Sequence, residues 1–248
     1  MELILKQTIK VKSYEVDYTG KMKLSALFYI LQEIAYNHAV ILNVGFKDLL
    51  EKKKFWVLSR MKILINEYPK WDDQIELQTW PKKVEKVFTL RDFMIYGNDN
   101  RHLVSATSLW MVLDLETKQV QRISSLIQDI PVLSGQHAVN ETPGKITIDS
   151  TVENYLNQKV LYSDIDVNNH VNNAKYVEWL LNSFNMDFYR ENIITALQIN
   201  FMAEAIYEDT LLIGRVSCGK NEYAVEGIAE NSKAVIFRAI VEWRTRSQ

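Results

Sequence analysis

The chain has 248 residues, 47% of them hydrophobic and 24% charged, with only 8 glycines and 4 prolines. This composition fits one large or two small globular domains and excludes collagen-like, low-complexity and disordered chains. With 29 Lys and Arg against 31 Asp and Glu, the net charge of −2 supplies no field for a polyphosphate backbone, so nucleic acid is not an expected partner. A single cysteine, Cys218, excludes an internal disulfide and a cysteine-rich zinc site, and it suits a reducing, cytoplasmic setting. The segment Met1–Lys12 has neither the basic stretch and apolar run of a secretory signal nor the composition of a transit peptide. The most apolar stretch, residues 26–46, is interrupted by Gln32, Glu33, Asn37, His38 and Asn43, so no membrane span is expected.

In chain order, apolar residues at Leu27, Leu31, Ile34, Ala35, His38 and Leu42 recur at helical spacing and predict a helix over Leu24–Asn43. Ser25 is a candidate N-cap and Gly45 a stop signal. Phe28, Tyr29, Ile30, Val40 and Ile41 populate the remaining faces, so this helix is expected to be surrounded by other structure. The period then changes to two, predicting strands over Phe55–Asn66, Gln74–Pro81, Lys86–Tyr96 and Leu103–Leu113. Gly97-Asn98-Asp99-Asn100 reads as a hairpin turn. A looser stretch, Ser124–Asp149, carries Pro131, Gly135, Pro143 and Gly144 and reads as a linker. Beyond it a helix is predicted over Asn172–Arg190, capped by Asn172 or Asn173, with Tyr176, Val177, Leu180, Leu181, Phe184 and Phe188 on its apolar face. Strands follow over Ile194–Glu204, Thr210–Cys218, Tyr223–Glu230 and Ala234–Arg244, with turns at Lys220-Asn221 and Asn231-Ser232.

Helix followed by antiparallel meander thus occurs twice. Val16-Asp17 before the first helix matches Ile165-Asp166 before the second, 149 residues on (17 and 166). Such a repeat predicts an α+β tandem, or double, hotdog, each copy a long central helix wrapped by a curved antiparallel sheet. The expected organisation is an N-terminal repeat over 1–130, a linker over 131–150 and a C-terminal repeat over 151–248.

The segment from Tyr162 to Tyr176 concentrates polar groups directly before an apolar helix. Asp166, Asn168 and His170 fall at alternate positions, so in an extended loop their side chains would project the same way. Carboxylate, amide and imidazole in one small site can bind a water, take its proton and orient its attack on a carbonyl. The backbone N–H groups of Val171 to Asn173, at a helix N-terminus, are candidates for stabilising a developing oxyanion. Read from residue types alone, the same Asn and Asp residues serve equally as turn and cap formers.

Asp-x-Asn-x-His-Val-Asn-Asn followed by Tyr176 and an apolar helix resembles the active-site motif of acyl-acyl-carrier-protein (acyl-ACP) thioesterases, plant and bacterial enzymes that release fatty acids from their carrier. The resemblance extends through Trp56-Val57-Leu58-Ser59-Arg60-Met61, Tyr68-Pro69-Lys70-Trp71-Asp72-Asp73, Gln78-Thr79-Trp80, Arg91-Asp92-Phe93 and Ala106-Thr107-Ser108-Leu109-Trp110. It implies hydrolysis of a fatty acyl-ACP thioester by carboxylate-activated water, without metal or organic cofactor, and acyl carrier protein as partner. It also implies catalytic roles for Asp166, Asn168 and His170, and for a glutamate about 34 residues after the histidine, which is Glu204. An acid in a strand otherwise apolar is costly to bury without a role or a partner, the alternative being a solvent-facing strand position. Plant members often carry cysteine after that glutamate; here Ala205 stands there, so a thiol nucleophile is excluded at that position. Cys218 is expected to be a small buried apolar residue. The resemblance further implies that the first half supplies the acyl pocket, with the helix Leu24–Asn43 lining it. Thr19 and Lys21 occupy the positions of Asn168 and His170 in the first repeat, so one site per chain is expected.

His38, His102 and His137 lack ligand-like spacing and predict no metal site. Lys52-Lys53-Lys54 and Lys82-Lys83 with Lys86 are candidates for meeting an acidic carrier surface. Rival readings keep the hydrolysis but change the carrier to coenzyme A, or make the chain a hotdog dehydratase or hydratase, or a non-catalytic acyl-binding protein. Exposed sheet edges are also compatible with a homodimer.

Overall fold

A computed structural model describes residues 3–123 and 130–246. The chain divides into two compact units, Met1–Pro143 and Gly144–Gln248. The first contains β1 (Leu5–Lys10), α1 (Leu24–Ile41), α2 (Phe46–Leu50), β2 (Lys54–Ile65), β3 (Gln74–Glu85), β4 (Phe88–Gly97) and β5 (His102–Asp114). Its sheet is antiparallel, in the order β1-β3-β4-β5-β2. The second contains β6 (Glu153–Lys159), α3 (Asn173–Asn182), α4 (Met186–Glu191), β7 (Asn192–Phe201), β8 (Thr210–Gly219), β9 (Glu222–Ala229) and β10 (Val235–Thr245). Its order, β6-β8-β9-β10-β7, repeats that of the first unit strand for strand. This is the α+β double hotdog that the internal repeat predicts.

In the first unit, Leu27, Leu31 and Ile34 of α1 are fully buried, as are Ile75 and Leu77 of β3, on which the helix packs. Apolar side chains at helical spacing on one element and at alternate positions on the other cover each other, which is what removes both from water. The helix is not enclosed on every face as expected. Tyr29, Tyr36, Val40 and Ile41 are exposed on its outer side. Lys23, not Ser25, is its N-cap, and Ser25 is buried within the first turn. Gly45 does not end α1, whose chain turns at the left-handed Asn43; it is the N-cap of α2 instead.

The second helix divides where the sequence suggests one. The Ser183 hydroxyl donates to the Leu180 carbonyl at 2.6 Å, and the Asn185 side chain accepts from the Phe188 amide at 2.9 Å, opening α4. A side chain that bonds the backbone locally competes with helix continuation. β1 and β6 escape the pattern search because each lies at the outer end of its unit's sheet order and presents mostly exposed, polar residues. β3 continues past Pro81 to Glu85 through a register shift between Pro81 and Lys83, since a proline without an N–H fits a ladder where pairing is interrupted.

Residues 124–129 of the stretch read as a linker lie outside the described residues. Residues 133–143 are held against the first sheet. Leu133 N–H donates to the Pro81 carbonyl (2.9 Å), Trp80 Nε1 to the Gln136 carbonyl (3.3 Å) and Arg60 to the Pro143 carbonyl (3.1 Å). Buried Asp92 accepts from the Ala138 amide (2.7 Å) and pairs with Lys82 at 3.2 Å, while Lys82 also donates to the Val139 carbonyl (2.5 Å). Lys82 is therefore an internal strut and not a docking residue, and Lys54 is tied to Asp114 by an ion pair. Cys218 is exposed, not buried as expected. Among the described residues no helix is long and apolar enough to cross a membrane.

The core of the second unit depends on Gly227. It lies opposite Phe237 in the β9–β10 ladder, and a Cβ on it would come within 2.2 Å of the Phe237 ring. Phe237 in turn contacts Tyr176 of α3, ring centroids 5.8 Å apart. Gly227→Ala should force the ring aside at a cost of about 1–3 kcal/mol, lowering Tm by roughly 3–10 °C in a thermal melt.

Candidate active site

The polar segment before α3 folds as a tight turn and not as an extended loop. Asp164 closes a short 3₁₀ turn by accepting the Leu161 amide at 2.8 Å. Ile165 then pairs with Val171, the Asp166 amide donates to the His170 carbonyl (2.8 Å) and the Asn169 amide to the Asp166 carbonyl (3.0 Å). Asn169 takes the left-handed conformation at φ 62°, which asparagine tolerates better than most residues. The Asp166 carboxylate folds back to accept the Asn168 amide at 2.8 Å. The three side chains therefore do not project from alternate positions of a strand. Among the described residues, no hydrogen bond joins the Asp166 carboxylate or the exposed Asn168 side chain to His170.

The first unit builds the same turn. The Asp17 amide donates to the Lys21 carbonyl (2.8 Å) and the Gly20 amide to the Asp17 carbonyl (3.0 Å). Asp17 Oδ1 accepts from the Thr19 amide and hydroxyl, both at 2.7 Å, and Val16 pairs with Met22. Gly20, at φ 75°, occupies the place of Asn169. An aspartate that shapes the turn is thus needed where Asn168 and His170 are replaced by Thr19 and Lys21.

The partner of His170 comes from the far end of β7. The strand stops at Phe201, where the amides of Met202 and Ala203 both point at the Ile236 carbonyl (2.8 and 3.2 Å). Glu204 therefore sits in the loop beyond the strand, contrary to the expectation of an acid within it. Its Oε2 lies 3.0 Å from His170 Nε2, with the imidazole 21% and the carboxylate 41% exposed. Behind this contact, buried Ala205 is held from two sides. Its amide donates to Tyr176 Oη at 3.0 Å, and its carbonyl accepts the Val171 amide at 3.2 Å. These two bonds set Glu204-Ala205 beside His170-Val171. Burial, together with the charges of Glu204 and Asp166, raises the Tyr176 phenol well above its ordinary range, while its bond to the Ala205 amide works the other way. It stays a neutral hydroxyl.

Of the three amides proposed for an oxyanion, that of Val171 is committed to Ala205 and that of Asn172 to the Asp164 carbonyl (2.9 Å). The Asn172 side chain caps α3 by accepting the Ala174 amide at 3.0 Å. That leaves the Asn173 amide. Among the described residues no group of three His, Cys, Asp or Glu side chains is placed to hold a metal ion. His38 is buried and contacts Arg91, whose guanidinium burial pushes down to about 10. The Cys218 thiol is pushed up by partial desolvation and by Glu222, the wrong direction for a nucleophile. In the sequence Tyr176 stands only as the tyrosine that follows the motif and as part of the apolar helix face; its bond to the Ala205 amide has no local signal beyond its replacement by Leu27 in the first repeat. Asp17→Ala should destabilise the protein by about 1 kcal/mol through its lost turn bonds, and Asp166→Ala comparably. Parallel thermal melts of the two variants check this.

Residues 2–130 match the family model of the acyl-ACP thioesterase N-terminal domain, and residues 148–245 that of the C-terminal domain. The chain is 26% identical to a chloroplastic palmitoyl-acyl carrier protein thioesterase of Arabidopsis thaliana, across 99% of this chain and 65% of the relative. It is 28% identical to the chloroplastic oleoyl-acyl carrier protein thioesterase 2 of the same plant, across 82% of this chain and 60% of the relative. The chain thus spans about 60–65% of the length of these curated relatives. Among solved structures, an acyl-ACP thioesterase from Bacteroides thetaiotaomicron superposes with a TM-score of 0.86 at 28% identity, covering 97% of this chain and 98% of that one. A 12:0-ACP thioesterase from Umbellularia californica gives 0.85 at 22% identity, covering 99% of both.

Proposed function

Because the chain belongs to the acyl-ACP thioesterase family, we propose that it hydrolyses the thioester of a fatty acyl group carried on acyl carrier protein, with His170 and Glu204 as its chemical centre. The observation that carries this reading is the 3.0 Å contact between His170 Nε2 and Glu204 Oε2 at the mouth of a turn that leads into α3. A carboxylate within hydrogen-bond reach of an imidazole, both partly open to solvent, can take the proton of a bound water. The water oxygen then attacks the thioester carbonyl carbon, the carbon–sulfur bond breaks, and the proton passes from the pair to the departing thiolate. Free acid and carrier thiol leave, and every atom of the water is accounted for.

In this reading the two carboxylates divide the work. Glu204 faces the imidazole and acts on water, while Asp166 holds the turn that presents His170, as Asp17 does in the unit without the pair. Asn168, exposed on the same turn, is available to orient the substrate carbonyl or the water. The Asn173 amide, at the start of α3, is the remaining backbone donor for the oxyanion. Cytoplasmic operation and a carrier surface around Lys52, Lys53, Lys83 and Lys86 belong to the same proposal.

The test is hydrolysis by the purified protein of acyl chains of roughly eight to eighteen carbons, presented on acyl carrier protein and on coenzyme A, alongside His170→Ala and Glu204→Gln. Loss of a single group acting in the transition state should lower kcat by about 100-fold or more in each variant, with free acid released chiefly from the carrier-protein set. Preference for coenzyme A would replace the carrier but keep the chemistry. Unchanged turnover in both variants would remove His170 and Glu204 from it.

A further inference from the structure

We propose that Tyr176 is a positioning residue of the hydrolytic site, its hydroxyl holding the Ala205 amide so that Glu204 stays within reach of His170; this rests on the reading of that pair given above. Glu204 lies beyond the last ladder bond of β7, so the strand alone does not fix its backbone. The next residue, Ala205, is fully buried, and a buried amide without a partner is costly. Tyr176 Oη accepts that amide at 3.0 Å. The ring behind the hydroxyl has little freedom, packed against Trp179, Phe201 and Phe237 with centroids 5.5, 5.9 and 5.8 Å away. The helix therefore transmits its own rigidity to the loop that carries the carboxylate.

The first unit supplies an internal comparison. There the Met22 amide donates to the Pro69 carbonyl at 2.8 Å, as the Val171 amide does to the Ala205 carbonyl. Pro69 so takes the place of Ala205, and Tyr68 that of Glu204. Proline has no amide to satisfy, and the residue in the place of Tyr176, 149 positions earlier, is the fully buried Leu27. Hydroxyl and amide are thus both present in the unit that carries the His170–Glu204 contact and both absent from the unit that lacks it. A tyrosine needed only to fill the core would have no reason to follow that division.

Tyr176→Phe removes the oxygen and keeps the ring, and Tyr189→Phe is its match. Tyr189 is another largely buried tyrosine of the same unit, whose hydroxyl donates to the Leu181 carbonyl at 2.7 Å, away from the pair. Tyr176→Phe is expected to lower kcat by about tenfold or more, as loosened positioning of a reacting group does, with KM within about twofold of wild type. Tyr189→Phe should keep kcat within about twofold despite a comparable fall in Tm. Wild-type kcat in Tyr176→Phe, or an equal loss in Tyr189→Phe, would overturn the positioning role. Measured beside them, unchanged turnover in His170→Ala and Glu204→Gln would instead overturn the reading of the pair and the positioning role with it.

Discussion

Two backbone groups of one alanine decide where the Glu204 carboxylate lies. Ala205 is buried, so its N–H and C=O must both find partners inside the protein. The N–H finds Tyr176 on α3, and the C=O finds Val171 at the end of the turn before α3. Helix and turn are consecutive in the chain, whereas Ala205 arrives from the opposite side of β7. The demand for hydrogen-bond partners thus draws a distant loop onto the turn and sets Glu204 against His170 at 3.0 Å. The ordinary requirement that buried peptide groups be paired is here the means by which two polar side chains remote in sequence meet.

The scaffold that makes this possible exists twice, and the His170–Glu204 contact once. Both units place a tight turn, shaped by Asp17 or Asp166, before the central helix, and both tie the first residue after the turn to the loop beyond the following strand. What differs is the cargo. Lys21, Tyr68 and Leu27 stand in one unit where His170, Glu204 and Tyr176 stand in the other. The turn persists where no pair is present, and this is the reason for proposing a supporting part for Asp166 and the water for Glu204.

The central helices and the strands that carry alternating apolar residues were legible because burial on one face imprints a period on the chain. The 149-residue offset is legible from the match of Val16-Asp17 to Ile165-Asp166, and the helices begin at that separation, at Leu24 and Asn173. β1 and β6 were not, because strands at the outer end of a sheet order leave most of their side chains in solvent and need no pattern. The turn at Asp166 to His170 is not legible as a turn, because alternate polar residues fit a strand as well as a turn whose first carboxylate folds back on the third residue's amide. Lys82 looked like a surface charge because the buried Asp92 that holds it lies on the next strand, and no local signal announces a pairing between strands. Glu204 was found by its distance from His170 in a family resemblance, while its position off the strand, and the part of Tyr176 in holding it, depend on hydrogen bonds between segments remote in sequence.

The central claim is that His170 and Glu204 act as one unit, and a double-mutant cycle on kcat/KM tests it most directly. His170→Ala, Glu204→Ala and the double variant would be compared on one acyl-ACP substrate under identical conditions. If the two side chains share a single proton-handling step, removing the second after the first should cost little, and the double variant should match the worse single variant to within about threefold. If the losses multiply, each side chain contributes independently, and the account of a paired centre is contradicted.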